Sequence, residues 1–226
     1  MRQAYPNPKR TIIAGHWVGE EEGLIGSQAF TFDHPEIVKN LHGLFNQDNG
    51  TGRVQSTSGA GLMDGGEHMK KWLAQLPKEF QDQVKYNGVG SPATGGTDHA
   101  SFDCYGAPAF GLSSVGWDYN PYTHHTNRDT FDKVVFDEVK GNATIVAMLV
   151  YLASEDPTNI ALARRDLTKP DPTAPAGGRG GGGGRGAAGR GGAPPAGAAP
   201  PRNPVDALGW PASCPKGPRV SPDSGR

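Results

Sequence analysis

The stretch Thr11-Ile12-Ile13-Ala14-Gly15-His16-Trp17-Val18-Gly19-Glu20-Glu21-Glu22-Gly23-Leu24-Ile25-Gly26-Ser27 decides how the chain is read. Its first eight residues are mostly apolar and read as a buried strand, residues 11–18. Three consecutive carboxylates follow, and a helix is predicted from about Leu24 to Phe30. Carboxylates this close repel one another, and more so where water is partly excluded. Two readings stand at this point. The run is either a site for a cation at the end of a strand, or a solvated helix start where Glu complements the dipole.

The pattern continues as alternating strands and helices. Pro35 to Asn40 is a short element with proline at its first turn. Leu41 to Gln47 is a strand candidate that ends at the turn Asp48-Asn49-Gly50-Thr51-Gly52. Met69, Trp72, Leu73 and Leu76 repeat at helical spacing over residues 66–76, with Pro77 as the stop. Residues 88–96 read as loop, Ala107 to Ser113 as a short strand and residues 118–129 as a polar, aromatic loop. Phe136 to Ser154 is predicted helical with Val139, Ala143, Val146, Ala147 and Val150 on one stripe. This order implies an α/β fold with a sheet and helices on its faces. Ligands of such sheets sit at the C-terminal ends of strands, where Glu20, Glu21 and Asp48 are expected.

Composition narrows the partners. The 226 residues carry a formal net charge of −1, which offers no electrostatic case for a nucleic-acid partner. No apolar run approaches the roughly 20 residues of a membrane span. The first ten residues hold no apolar segment of a signal peptide. Cys104 and Cys214 lie in different compositional zones, so a disulfide framework is not expected, and Cys104 reads as a small buried apolar residue. The 34 glycines and 20 prolines are unevenly spread, and residues 174–204 are almost wholly Ala, Gly, Pro and Arg. The expected organisation is a folded domain over 1–168, a disordered Gly/Pro/Ala/Arg linker over 169–204 and a tail over 205–226. Arg179, Arg185 and Arg190 stand in Arg-Gly steps, but without interleaved aromatics a linker is favoured over RNA binding.

Carboxylate oxygen and imidazole nitrogen together suit zinc. Of two adjacent glutamates, one can hold a metal while the other moves a proton. The run Glu20-Glu21-Glu22-Gly23-Leu24-Ile25-Gly26-Ser27 resembles the Glu-Glu-x-Gly-Leu-x-Gly-Ser motif of the dizinc aminopeptidase and glutamate carboxypeptidase family, metallopeptidase family 28. Three further segments are similar to that family in order: Asp48, 27 residues after Glu21; Gly96-Thr97-Asp98-His99-Ala100-Ser101-Phe102; and His125-Thr126-Asn127-Arg128-Asp129-Thr130. The resemblance covers residues 11–155.

The resemblance implies a three-layer zinc-exopeptidase-like mixed sheet with helices on both faces, N-terminally incomplete. It implies Glu20 as general base, with Glu21, Asp48 and His125 as zinc ligands, Glu21 on one ion and Asp48 with His125 on the other. His124 would bind substrate or its oxyanion, as in family members with paired histidines, or lie on a surface loop. Asp129 would orient a ligand imidazole or cap a turn. Asp98 and His99 would support the pocket, or Thr97 and Asp98 would cap a short helix. The family holds two zinc ions, two of whose ligands come from strands ahead of the Glu-Glu motif. Only 19 residues precede Glu20 here and none forms a His-x-Asp pattern, so one zinc or none is the expectation for this chain. The implied activity is aminopeptidase-like hydrolysis of terminal peptide bonds. Carboxypeptidase or dipeptidase specificity, or a non-catalytic family-related domain, are the alternatives. A peptide substrate and an extracytoplasmic location are implied by resemblance.

Overall fold

The computed structural model describes residues 3–117 and 119–174. Of the expected linker over 169–204, residues 169–174 are described, and Asp171 and Thr173 there accept hydrogen bonds from Gly90 and Val89; the rest of the linker and the expected tail over 205–226 lie outside the described residues.

Four strands form one mixed sheet: β1 (Leu44–Gln47), β2 (Val54–Thr57), β3 (Lys85–Tyr86) and β4 (Ala109–Ser114), in the order β1-β4-β2-β3. β1 and β4 are parallel, β4 and β2 antiparallel, and β2 and β3 parallel. Successive β4 side chains point to opposite faces. Phe110 and Leu112 enter the main core with Trp72, Met69, Val54, Ile145 and Leu149. Ala109 enters a second core with Val38, Phe102, Tyr105 and Ala107. The helices α3 (Met63–Leu73) and α6 (Phe136–Glu155) cover the first face, and α1 (Ile25–Asp33) and α5 (His99–Cys104) the second. The expected α/β architecture with helices on both faces is therefore present. Short helices α2 (Pro35–Lys39) and α4 (Lys78–Gln83) complete the set.

Two expectations are corrected. Residues 11–17 form no strand, and Thr11 to His16 are exposed. An apolar run becomes a strand only where a neighbour accepts its backbone hydrogen bonds. Among the described residues no strand pairs with this segment, and Ile13 stays 55% exposed. Only Trp17 reaches a core, packing against Phe30 and Phe102.

The buried stripe of α6 is also displaced. It runs through Asn142, Ile145, Leu149 and Ala153, while Val139 and Ala143 face water. Asn142 is the reason. Its Oδ1 accepts the Val54 N–H at 2.7 Å, and its Nδ2 donates to the Gly52 carbonyl at 2.9 Å. A polar residue with both functions satisfied is buried at little cost, and it sets the rotation of the helix.

The C-terminal ends of α3 and α6 meet at Asp156, whose Oδ2 accepts from His68 Nδ1, Lys71 Nζ and Trp72 Nε1. Burial opposes ionisation there, but the hydrogen bonds from Lys71, Thr158 and Trp72 together outweigh it and hold the carboxyl well below the usual range. Cys104 is buried as expected, but it is disulfide-bonded.

Candidate active site

The glutamates occupy a tight turn, not a strand end. Gly23 and Leu24 both donate backbone N–H bonds to the Glu20 carbonyl, at 3.1 and 2.9 Å, and Gly26 donates to Val18 at 2.9 Å. The small and apolar residues of the turn each have a local cause in the fold. Gly19 and Gly23 take left-handed φ values of 67° and 102°, which favour glycine. A Cβ on Gly26 would lie 2.5 Å from the Val18 carbonyl oxygen. Leu24 is buried with Ala93 and Ala100. Ser27 Oγ lies 2.8 Å from Ser101 Oγ in a buried pair that pins α1 to α5. The turn carrying Glu20 and Glu21 is thus keyed into the segment carrying Asp98 and His99.

Glu21 and His125 meet directly, Oε2 to Nε2 at 2.8 Å, both well exposed. His125 holds a left-handed φ of 57°, a strained conformation for a residue with a Cβ. His124 stacks on it with ring centroids 3.7 Å apart and lies 5.0 Å from the Tyr119 ring. Both histidines follow a single π-helical turn, Tyr119–Thr123, where the sequence suggests plain loop. Thr126 Oγ1 donates to the Thr123 carbonyl at 2.8 Å and closes this turn.

Glu20 lies in the field of this group. Burial pushes its carboxyl up, Asp48, Glu21 and Asp98 push it further, and His125 opposes them, leaving it at about 7. Asp48 is exposed on the turn after β1. His99 is brought down to about 4 by burial, against a smaller opposing pull from Asp48, so its ring is neutral at physiological pH. The ring packs over Gly111, where a Cβ would lie 2.8 Å from Nε2. Asp98 stands at the start of α5 without a side-chain capping bond, and its Oδ1 is buried with no hydrogen-bond partner. The capping role weighed for Asp98 is therefore not made by its side chain. Asp129 donates its backbone N–H to the Thr126 carbonyl. Among the described residues no hydrogen bond joins its carboxylate to an imidazole, and its charge acts on Tyr119.

Two participants are not singled out by the sequence. Tyr119 is pushed up by burial, then by Asp48, Asp129, Glu21 and Glu20, which places its phenol among the acidic residues of the site. Its ring covers Gly50, where a Cβ would lie 2.7 Å away. Asn46 on β1 donates to Thr97 Oγ1 at 2.9 Å, and its Nδ2 lies 3.4 Å from His99 Nδ1. The one available signal for Tyr119 is a tyrosine in a turn facing an Asp-Asn-Gly turn; nothing in the period of β1 marks Asn46.

The donor chemistry suits zinc: a carboxylate and an imidazole in contact, with an orphaned buried carboxylate oxygen on Asp98 nearby in charge terms. The set is partial. Among the described residues no group of three or more His, Cys, Asp or Glu is arranged to hold a metal ion.

Comparison with known proteins places these residues in a family. The chain is 29% identical over 143 residues to leucine aminopeptidase 1 of Ajellomyces capsulatus, covering 60% of this chain and 37% of that protein. It is 30% identical over 156 residues to a probable leucine aminopeptidase 1 of Trichophyton verrucosum, covering 62% and 42%. It therefore spans less than half the length of these relatives. The crystal structure of a peptidase M28 precursor from Shewanella amazonensis superposes with a TM-score of 0.54 at 23% identity, over 64% of this chain and 31% of that one, and shares the fold. Residues 1–150 match the profile of peptidase family M28, and the chain belongs to that family.

Proposed function

We propose that this protein is an aminopeptidase that hydrolyses N-terminal peptide bonds with zinc as its cofactor. The observation that carries the reading is the Glu21–His125 contact beside Glu20, whose carboxyl is raised by burial and by the charges of Asp48, Glu21 and Asp98. Leucine aminopeptidases among the relatives favour amino- over carboxypeptidase action.

In this reading Glu20 is the general base. It takes a proton from the attacking water and returns it to the leaving amine. Glu21 and His125 would be ligands of one zinc ion, and Asp48 would serve a second where one is bound. This pairing differs from the division implied by resemblance, which set Glu21 apart from His125. Bound zinc supplies a Lewis acid and lowers the pKa of water. His124, stacked on His125, would be the donor to the developing oxyanion. Neutral His99 and Asn46 brace the strand end beside Asp48. Asp129 contributes charge near Tyr119 and turn geometry below His125.

The partial donor set favours one second reading, a family-related domain without catalysis. Elemental analysis separates the two: at least one zinc per chain fits the peptidase, and none fits the binding domain. The peptidase reading is tested by release of amino acids from a free peptide and from its N-acetylated form. Loss of hydrolysis on acetylation is expected; loss only on amidation of the C-terminus would indicate a carboxypeptidase. The disulfide at Cys104 supports an extracytoplasmic location. Among the described residues no helix is long and apolar enough to cross a membrane.

A further inference from the structure

Beyond residue 150, where the family match ends, α6 continues to Glu155, and the chain then runs along the loops that lead into α3 and α5. Ile160 and Leu162 are buried in this run. Ala161 donates its N–H to Asp64 Oδ2 at 2.6 Å, Met63 donates to the Ala163 carbonyl at 3.0 Å, and Arg165 donates to the Gly61 carbonyl at 3.0 Å. The Arg164 guanidinium spans two loops, with Nη1 on the Ala60 carbonyl at 3.2 Å and Nη2 on the Asp103 carbonyl at 2.9 Å. Arg165 donates to the Gly90 carbonyl and to Ser91 Oγ. Asp171 Oδ2 accepts the Gly90 N–H at 2.6 Å, and Thr173 Oγ1 accepts the Val89 N–H at 2.7 Å.

Most of these bonds converge on the base of one loop. From Val89 the chain passes through Gly95 and Gly96, with φ of 158° and 89°, to Asp98 and His99. Fully buried Asp103 closes that loop by accepting the Ala93 N–H at 2.8 Å. The loop is glycine-rich and makes few bonds of its own. Its position is set from outside, by Arg164 on Asp103 at one end and by Arg165, Asp171 and Thr173 on Val89 to Ser91 at the other.

We propose that residues 160–173 are a strap that positions the loop 89–98, with Arg164 and Asp171 as its positioning residues, and that the strap thereby sets the wall of the substrate pocket. The second half rests on the peptidase reading; the first does not.

Hydrogen exchange of the whole chain tests it. Arg164→Ala is expected to speed exchange in the peptide covering 89–98 about tenfold, while β4 and α6 keep their protection. Should Arg164→Ala fail to fold, the pair Arg165→Ala with Asp171→Ala, on the more exposed anchors, is expected to give the same local effect. Unchanged exchange at 89–98, or an equal rise in β4 and α6, overturns the strap. In peptide hydrolysis the same variants are expected to raise KM about tenfold with kcat within about twofold. A fall in kcat at unchanged KM overturns the pocket role. If the wild-type protein hydrolyses no peptide, the peptidase reading fails, and exchange alone decides the strap.

Discussion

Asn142 shows how much one polar side chain decides in this protein. It satisfies a donor and an acceptor of the β2 approach from inside the main core. Asn142→Ala leaves the Val54 N–H and the Gly52 carbonyl buried without partners, at about 1–3 kcal/mol each. Denaturant unfolding is expected to show a loss of about 2–6 kcal/mol; a loss under about 1 kcal/mol would mean water replaces the amide. Gly26 makes a similar demand, since a Cβ would sit 2.5 Å from the backbone oxygen of Val18. Gly26→Ala must therefore move the turn that carries Glu20 and Glu21, and is expected to destabilise the fold by about 1–3 kcal/mol. At this scale the sequence is most legible where chemistry is written in rare combinations. The acidic triplet, Asp48 and the paired histidines stand out from residue order alone. Asn142 does not, because a polar residue on a helix reads as solvent-facing until its partners are known.

Elements are legible in place and less so in orientation. The predicted helices over 66–76 and 136–154 appear as α3 and α6, and the predicted strands over 41–47 and 107–113 as β1 and β4, each with at least one end shifted. The four-residue β2 and two-residue β3 are too short to show a period in the sequence. Residues 11–18 differ for another reason: their pattern is that of a strand, but pairing is a property of the neighbour. The true buried face of α6 predicts that Leu149→Ala, at a fully buried site, costs about 2–5 kcal/mol, while Val139→Ala costs under about 0.5 kcal/mol. The junction of α3 and α6 makes a pH prediction. Asp156 has a folded pKa below its unfolded value near 3.8, so its contribution is present above that pH and is lost as pH falls below it. Unfolding at about pH 7 and about pH 3 is expected to show Asp156→Asn clearly less stable than wild type at the higher value, with the gap narrowed at the lower. An equal gap at both values would mean the charge contributes nothing.

For the molecule as a whole, two faces of a small mixed sheet carry separate cores, and the charges of Asp48, Glu21, Asp98 and His125 all act on Glu20. Four sequence motifs spread over more than a hundred residues contribute charges to that one carboxyl. Family membership is readable from those motifs, whereas the contact between Glu21 and His125 and the intrusion of Tyr119 need the fold. The central claim is that Glu20 is the base of a zinc-dependent peptide hydrolysis. Its most direct measurement is the rate of N-terminal residue release from a leucyl peptide with zinc present, for wild type and for Glu20→Gln. The account predicts a loss of at least about 100-fold with zinc content unchanged. Equal rates in the two proteins would contradict it.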